Sequence, residues 1–351
     1  MATITDSPTR SRSRRQEPAS FDLETVDCRL CGGTSFDTVL ATRDPLKCTR
    51  DEFRVVQCRN CELVQTNPRP TAETIGVFYP QDYCCHDLSS AWDNRRRARW
   101  RRVAERAVLR RDYNYPPQPV EWWSVALATL GRAWMRTPIR RSMWIPFPAR
   151  RGRLLDFGCG AGAFLRRMRD LGWRVEGLDV SRDLAAAVSD QLGITVHVGS
   201  LPHASLEPQS YDLLTMWQAL EHVHDPRAVV RAAANLLRPG GLFYATVPNF
   251  ESWGRVRFGH SWYGLDVPRH LTHFAPQTLA RLVEAEGFRV QRIEQVGMDG
   301  WIRHSARRAR AFEMGSWRLQ ACRFKPLAKR LARRSERANR ADNLLVAAEK
   351  I

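Results

Sequence analysis

The sequence predicts an α/β protein: a largely parallel sheet covered by helices on both faces, with a small cysteine-rich module ahead of it. Three observations predict this. From Arg153 onward, short apolar runs alternate with amphipathic stretches of helical length, the pattern of a buried parallel sheet. The first of those runs opens into a glycine-rich turn, Gly158-Cys159-Gly160-Ala161-Gly162. Two Cys-x-x-Cys pairs, Cys28/Cys31 and Cys58/Cys61, precede the alternating region. With 351 residues and a hydrophobic fraction of 43%, the chain is apolar enough to bury a core and is not a wholly disordered polymer. No uninterrupted apolar run is long enough to span a bilayer.

Residues 1–20 are basic and Ser/Pro-rich and lead into no apolar stretch, so they read as a disordered tail and not as a signal peptide. Nine cysteines without a secretory signal point to a reducing, cytoplasmic setting, where paired thiols hold metal more often than they form disulfides. Residues 21–87 read as a zinc-ribbon-like module. Each Cys-x-x-Cys pair brings two thiolates onto one ion, and two such knuckles complete a tetrahedral Zn2+ site. Gly32-Gly33 supplies the permissive backbone behind the first pair, and strand-like runs lie at Phe36–Leu40 and Phe53–Gln57. A closed four-thiolate site has no open position for substrate and is structural. The alternative is four buried free thiols. Cys48, Cys84 and Cys85 have no partner spacing.

The core elements follow in order from residue 151. Leu154-Leu155-Asp156-Phe157 is a buried strand, followed by a helix with Phe164, Leu165, Met168 and Leu171 on one face and Gly172 as its stop. A second strand, Trp173–Leu178, ends at Asp179. Ser181 caps the next helix, which runs to Gly193 ahead of a third strand at Ile194–Val198. Tyr211–Met216 is the fourth strand. Asp225-Pro226 places N-cap and N1 residues at the start of another helix, and Pro239-Gly240-Gly241 turns the chain into a fifth strand, Leu242–Val247. A glycine-rich strand-to-helix turn with an acid at the next strand end fits either a nicotinamide or an adenosyl cofactor. The loop here is Asp-x-Gly-x-Gly-x-Gly and not Gly-x-Gly-x-x-Gly.

On those residues the chain resembles the class I S-adenosylmethionine-dependent methyltransferases. Asp156-x-Gly158-x-Gly160-x-Gly162 is similar to their first motif, and Asp179 to the acid that holds the ribose hydroxyls. Tyr211-Asp212-Leu213-Leu214 with Leu220-Glu221-His222-Val223-His224-Asp225-Pro226, then Leu236–Gly241 and Arg269–Leu279, resemble further blocks of the ubiquinone O-methyltransferase-like branch. The cysteine module resembles the zinc-binding N-terminal region of some sugar C-methyltransferases. The resemblance implies a Rossmann-like seven-stranded mixed sheet and S-adenosylmethionine as cofactor. It implies adenine near Ser200 and Leu201, and methionyl contacts from the glycine loop and Gln218. It also implies a last strand antiparallel to the others. Phe288–Gln295 supplies the sixth strand and Asn343–Ala348 is the candidate seventh, which makes 301–340 an insertion between them.

Methyl transfer is an in-line displacement from a sulfonium, so the enzyme aligns the acceptor and a base removes any acceptor proton. His222, just beyond the fourth strand, is one candidate base; the competing reading is a structural histidine orienting its loop. His270 and His273 are the other candidates, and Glu221 with His222 is an alternative metal pair. His224 reads as an exposed loop residue. Residues 250–274, dense in Phe, Trp and Gly, read as a lid over the acceptor or as a packed loop. Cys159 reads as a small buried filler.

The net charge of +18 sits in two segments, 88–153 and 301–340. Residues 88–150 read as basic helices edged by Trp92, Trp100, Trp122, Trp123, Trp134 and Trp144. Such helices suit an anionic membrane surface or a lipid-linked acceptor, nucleic-acid phosphates, or a plain cap over the site. The fourth strand leads into Met216-Trp217-Gln218-Ala219 and not into the Asn/Asp-Pro-Pro-aromatic motif of base methyltransferases, which disfavours nucleic acid. The expected acceptor is therefore small-molecule, sugar-linked or lipid-linked, and the expected location is the cytoplasm, peripheral to a membrane in one reading. Intact glycines and Asp179 disfavour a non-catalytic binding module.

Overall fold

The computed structural model describes residues 21–46, 49, 51–80, 109–110, 113–115, 145–147, 152–311 and 316–351. The expected N-terminal tail, Cys48, Cys84, Cys85 and the six tryptophans of 88–150 lie outside the described residues.

The N-terminal strands are β1 (Leu23–Glu24), β2 (Phe36–Arg43), β3 (Glu52–Cys58), β4 (Val64–Thr66) and β5 (Arg69–Pro70). The main sheet takes β6 (Arg153–Phe157), β7 (Arg174–Asp179), β8 (Val196–Val198), β9 (Tyr211–Trp217) and β10 (Leu237–Pro248). Between them run α1 (Ala163–Asp170), α2 (Arg182–Leu192) and α3 (Pro226–Leu236). Then come α4 (Trp253–Phe258), the short β11 (Thr272–His273), α5 (Pro276–Ala285) and β12 (Phe288–Val296). Three helices, α6 (Asp299–Ala311), α7 (Trp317–Ala321) and α8 (Lys325–Arg337), precede the last strand, β13 (Asn343–Lys350).

The seven strands lie in the order β12-β13-β10-β9-β6-β7-β8. β13 is antiparallel to both its neighbours, while the β10–β9–β6–β7–β8 pairings are parallel. This is the Rossmann-like seven-stranded mixed sheet, and residues 297–342 are inserted before its last strand. The sequence of β13 fits its place. Leu344, Val346 and Ala348 enter the core on one face of the sheet, and Leu345 and Ala347 enter the core on the other. A strand buried on both faces reads as a continuous apolar run.

Local signals set the helix ends. Ser181 accepts from the Leu184 amide and Asp225 from the Ala228 amide, while Gly193 ends α2 in the left-handed region. Three expectations need correction. Leu171, not Gly172, is the cap of α1. The third strand begins at Val196 and not at Ile194. The fifth begins at Leu237, so Pro239-Gly240-Gly241 lies inside it, where the pairing with β9 slips between Leu237 and Leu242. A bulge there accommodates a turn-like sequence without ending the strand.

The cysteine module is not a separate bead on the chain. Its sheet has the order β11-β4-β3-β2, so a strand from the methyltransferase half completes it. Thr272 pairs with Gln65 and His273 with Val64. Phe53, Val55, Val64 and Phe78 of the module share one buried cluster with Phe258, Trp262, Ile302, Leu319 and Ala328. The module, the 253–267 loop and the insertion helices therefore form a third core beside the two on the faces of the main sheet.

Deleting residues 343–351 leaves β10 and β12 without the strand that joins them. The truncated protein is expected to lose its cooperative thermal unfolding transition; an unchanged melting curve would show that β13 is dispensable.

Candidate active site

The cofactor end is built from backbone. Gly158, Gly160 and Gly162 all have positive φ, at 68°, 48° and 72°, a region that side chains rarely adopt. A Cβ on Gly158 would meet the Ala219 Cβ at 2.8 Å, and one on Gly162 would meet the Val188 Cγ1 at 2.6 Å. The glycines thus keep the loop flat against the exit of β9 and against α2. Asp179, at the end of β7, accepts from the Gly160 amide at 2.8 Å and from the Ser181 amide at 2.9 Å. Two bonds leave lone pairs on its carboxylate, which fits a pair of ribose hydroxyls. Gly199 donates to the Asp179 carbonyl at 2.9 Å, which brings exposed Ser200 and buried Leu201 to the same edge. Gln218 holds a positive φ of 55° where β9 leaves the sheet. Asp156 lies beneath the loop, fully buried; burial pushes its carboxyl up to about 8, against the Thr215 hydroxyl that donates to it at 2.6 Å. Cys159 is buried against Gly177, and burial raises its thiol pKa, as suits a filler and not a nucleophile.

Beyond β9, a short 3-10 turn (Leu220–His222) carries the second part of the site. Glu221, His222 and His270 bring their polar side-chain atoms within 4.8 Å of one another. The two imidazole rings meet edge to face at 4.6 Å. His222 Nδ1 lies 3.1 Å from the Arg269 carbonyl, and His270 Nδ1 lies 2.9 Å from the Gly264 carbonyl. A carbonyl only accepts, so both rings carry the proton on Nδ1 and keep the Nε2 lone pair. Burial pushes the His222 pKa down to about 4 and that of His270 well below its usual value. Both are neutral near pH 7. Glu221 is fully buried, neither carboxylate oxygen has a hydrogen-bond partner among the described residues, and burial pushes its carboxyl up to about 8.

The third candidate, His273, is placed differently. Its Nε2 faces the Thr66 hydroxyl at 3.2 Å, and it stands outside the Glu221–His222–His270 group. His224 is a correction: it is half-buried, with Nε2 3.0 Å from the Pro70 carbonyl, and so tethers the cysteine module instead of hanging in solvent. The aromatic 250–274 segment is a packed loop. Phe258 and Trp262 are buried, and a Cβ on Gly264 would strike both Trp262 and Trp301. It still reaches the site, through Gly264 and Asp266.

Sequence reasoning missed the residues that hold this pair in place. Tyr79, from the cysteine module, sets its hydroxyl 2.9 Å from His222 Nδ1. The Arg269 guanidinium, 0% exposed, reaches Asp44 at 2.7 Å, Asp266 at 2.9 Å and the Phe78 carbonyl at 2.9 Å. Arg308 of α6 joins Asp266 at 3.0 Å. Against its burial, the Arg269 and Arg308 guanidinia hold the Asp266 carboxyl well below the usual range. Arg269 stood in the recognised block, but nothing local pointed to Asp44 or Tyr79.

The four cysteines of the module converge. Cys28 Sγ and Cys61 Sγ are 3.3 Å apart, Cys31 Sγ and Cys58 Sγ 3.6 Å, and all four lie within 4.8 Å. Gly32 and Glu62, each just after the second cysteine of its pair, take positive φ of 73° and 65°, so the two knuckles turn alike. Burial raises the Cys28 and Cys61 thiols, a cost that a bound dication offsets by holding them as thiolates. The donor set and spacing fit structural Zn2+.

A methyltransferase-domain family profile matches residues 128–293. The ubiquinone biosynthesis O-methyltransferase of Burkholderia vietnamiensis is 33% identical over 157 residues, covering 41% of this chain and 67% of that protein. The enzyme of the same name from Aeromonas salmonicida is 33% identical over 151 residues, covering 40% and 63%. The chain thus spans about two thirds of these relatives. A solved S-adenosylmethionine-dependent methyltransferase from Mesorhizobium loti is similar at a TM-score of 0.43 with 23% identity, over 61% of this chain and 96% of that one. The chain belongs to the class I S-adenosylmethionine-dependent methyltransferases. It is an enzyme that uses S-adenosylmethionine, with a zinc-ribbon-like module attached. Among the described residues no helix is long and apolar enough to cross a membrane.

The buried carboxyl of Glu221 gives a pH test. Its proton is held in the folded state up to about 8 and lost near 4.5 in an unfolded chain. Its contribution to stability is therefore complete below 4.5 and declines as pH rises toward 8. Glu221→Gln removes that decline. The variant's stability relative to the parent is expected to rise across this window by on the order of a few kcal/mol, read as melting temperature against pH. A difference independent of pH would contradict the assignment.

Proposed function

We propose that the enzyme methylates a small-molecule, sugar-linked or lipid-linked acceptor, and that the acceptor's proton leaves to the His222–His270 pair. The observation that carries this reading is the Glu221–His222–His270 cluster at the edge where β9 leaves the sheet, the edge at which α/β folds bind ligands. The cofactor supplies an electrophilic methyl on a cationic sulfur. Asp156, Gly158, Gly160 and Gly162 form its cradle, Asp179 takes the ribose hydroxyls, Ser200 and Leu201 flank the adenine, and Gln218 serves the methionyl end. His222 keeps its Nε2 lone pair because its Nδ1–H donates to the Arg269 carbonyl. Burial leaves the ring neutral, with Nε2 unprotonated. Tyr79 fixes the ring plane from the module side, and His270 stands behind as the second acceptor of protons.

The relatives' names assign O-methylation in ubiquinone biosynthesis to those proteins. A hydroxyl acceptor suits a neutral imidazole base here. The geometry of Glu221 supports a second reading: with both oxygens unpartnered beside two imidazoles, it would hold a divalent cation that activates the acceptor oxygen. Calorimetric titration of the parent and Glu221→Gln proteins with Mg2+, Mn2+ and Zn2+ distinguishes the two; heat lost only in the variant favours the metal.

Two substitutions should separate binding from chemistry. His222→Ala is expected to keep S-adenosylmethionine affinity and to lower transfer by roughly 10²–10⁴-fold. Asp179→Ala is expected to weaken cofactor binding at least about tenfold, the loss of a charge-assisted bond. Affinity is read by calorimetry, and transfer by labelled-methyl incorporation into an extract of source cells, with the product identified by mass spectrometry. Full transfer in His222→Ala would remove it as the base, and label found in RNA would overturn the acceptor class.

A further inference from the structure

The insertion before β13 carries an exposed corner that the catalytic site does not use. Trp317 of α7 and Phe324, just ahead of α8, are 73% and 66% exposed. The Arg318 guanidinium carbon lies 5.5 Å from the Trp317 ring centroid, and exposed Arg323 and Lys325 flank Phe324. None of these three cations has a carboxylate partner among the described residues.

The base beneath the corner is firm. The fully buried residues of α8 are small, Ala328, Ala332 and Ser335, and α8 packs against α6. The long basic side chains of α8 therefore face outward. Leu319 and Cys322 enter the cluster that also holds Phe258 and Trp262.

We propose that this corner docks the enzyme on an anionic membrane surface. An indole and a phenyl ring held in water gain free energy by entering the interfacial layer of a bilayer. Arginines and lysines beside them meet anionic headgroups, each contributing about 1 kcal/mol near the surface, or about fivefold in binding. Nucleic-acid phosphates attract the same cations, and aromatic rings stack on unpaired bases. Nucleic-acid strands are bound by rings set in a basic groove that tracks the backbone, whereas α8 turns its basic side chains to an outward face, which suits a flat anionic surface better. The corner also abuts the 253–267 loop, so docking there brings the acceptor side of the enzyme next to the membrane. The proposal does not depend on which group is methylated.

The test is co-sedimentation of the full-length zinc-loaded enzyme with vesicles of phosphatidylcholine alone and of phosphatidylcholine with phosphatidylglycerol, beside a single-stranded RNA at matched salt. Binding is expected only to the anionic vesicles, and it should weaken as salt rises. The Trp317→Ser/Phe324→Ser variant should bind them about tenfold more weakly, and Lys325→Gln about fivefold. Both variants should keep the parent melting temperature and S-adenosylmethionine affinity, because these side chains lie on the surface. No sedimentation with anionic vesicles, unaltered sedimentation of the double variant, or RNA binding in place of vesicle binding would each overturn the proposal.

Discussion

The buried guanidinium of Arg269 is the interaction on which the site depends. It is enclosed on all sides and uses its donors on three parts of the chain at once: Asp44 and the Phe78 carbonyl in the cysteine module, and Asp266 in the loop after α4. Its own carbonyl then faces His222 Nδ1. Removing one partner of such a buried group costs roughly 3–5 kcal/mol, because a charge is left without compensation. The arrangement therefore specifies geometry more than it adds net stability.

Around that residue the contacts run in one direction. Thr66 donates to the His270 carbonyl and faces His273, while the Thr66 amide donates to the Leu271 carbonyl. Leu271 in turn donates to the Glu221 carbonyl at 2.8 Å. The histidine pair thus hangs between β4 of the module and the turn after β9. Arg308 extends the same network into α6 through Asp266. The zinc-ribbon-like module walls one side of the Glu221–His222–His270 cluster, and its fold positions the His222 imidazole through Tyr79.

Much of the parallel core was legible in the sequence because its signals are local. The glycine turn, the acid ending β7, the Asp225-Pro226 start of α3 and the doubly apolar run of β13 each state their role within a few residues. The insertion was legible by elimination, since no other segment after β12 is a short apolar run that fits a last strand. The junction between module and core was not legible. Its contacts join residues about two hundred positions apart, as Thr66 with His270 and Asp44 with Arg269, and single polar residues carry no pattern. The fifth strand was placed late because Pro239-Gly240-Gly241 reads as a turn and is in fact a bulge. The aromatic loop carried the right residues, but their spacing does not distinguish a lid from the packed core that Phe258 and Trp262 form.

The cysteine module and the histidine pair form one mechanical unit joined through Arg269. Backbone hydrogen exchange of the Asp44→Asn variant tests it most directly. Protection is expected to fall together at Thr66 in β4 and at Leu271, while the amides of Gly158 and Gly160 and the affinity for S-adenosylmethionine stay as in the parent. Faster exchange confined to the residues around position 44, with Thr66 and Leu271 as protected as before, would contradict it.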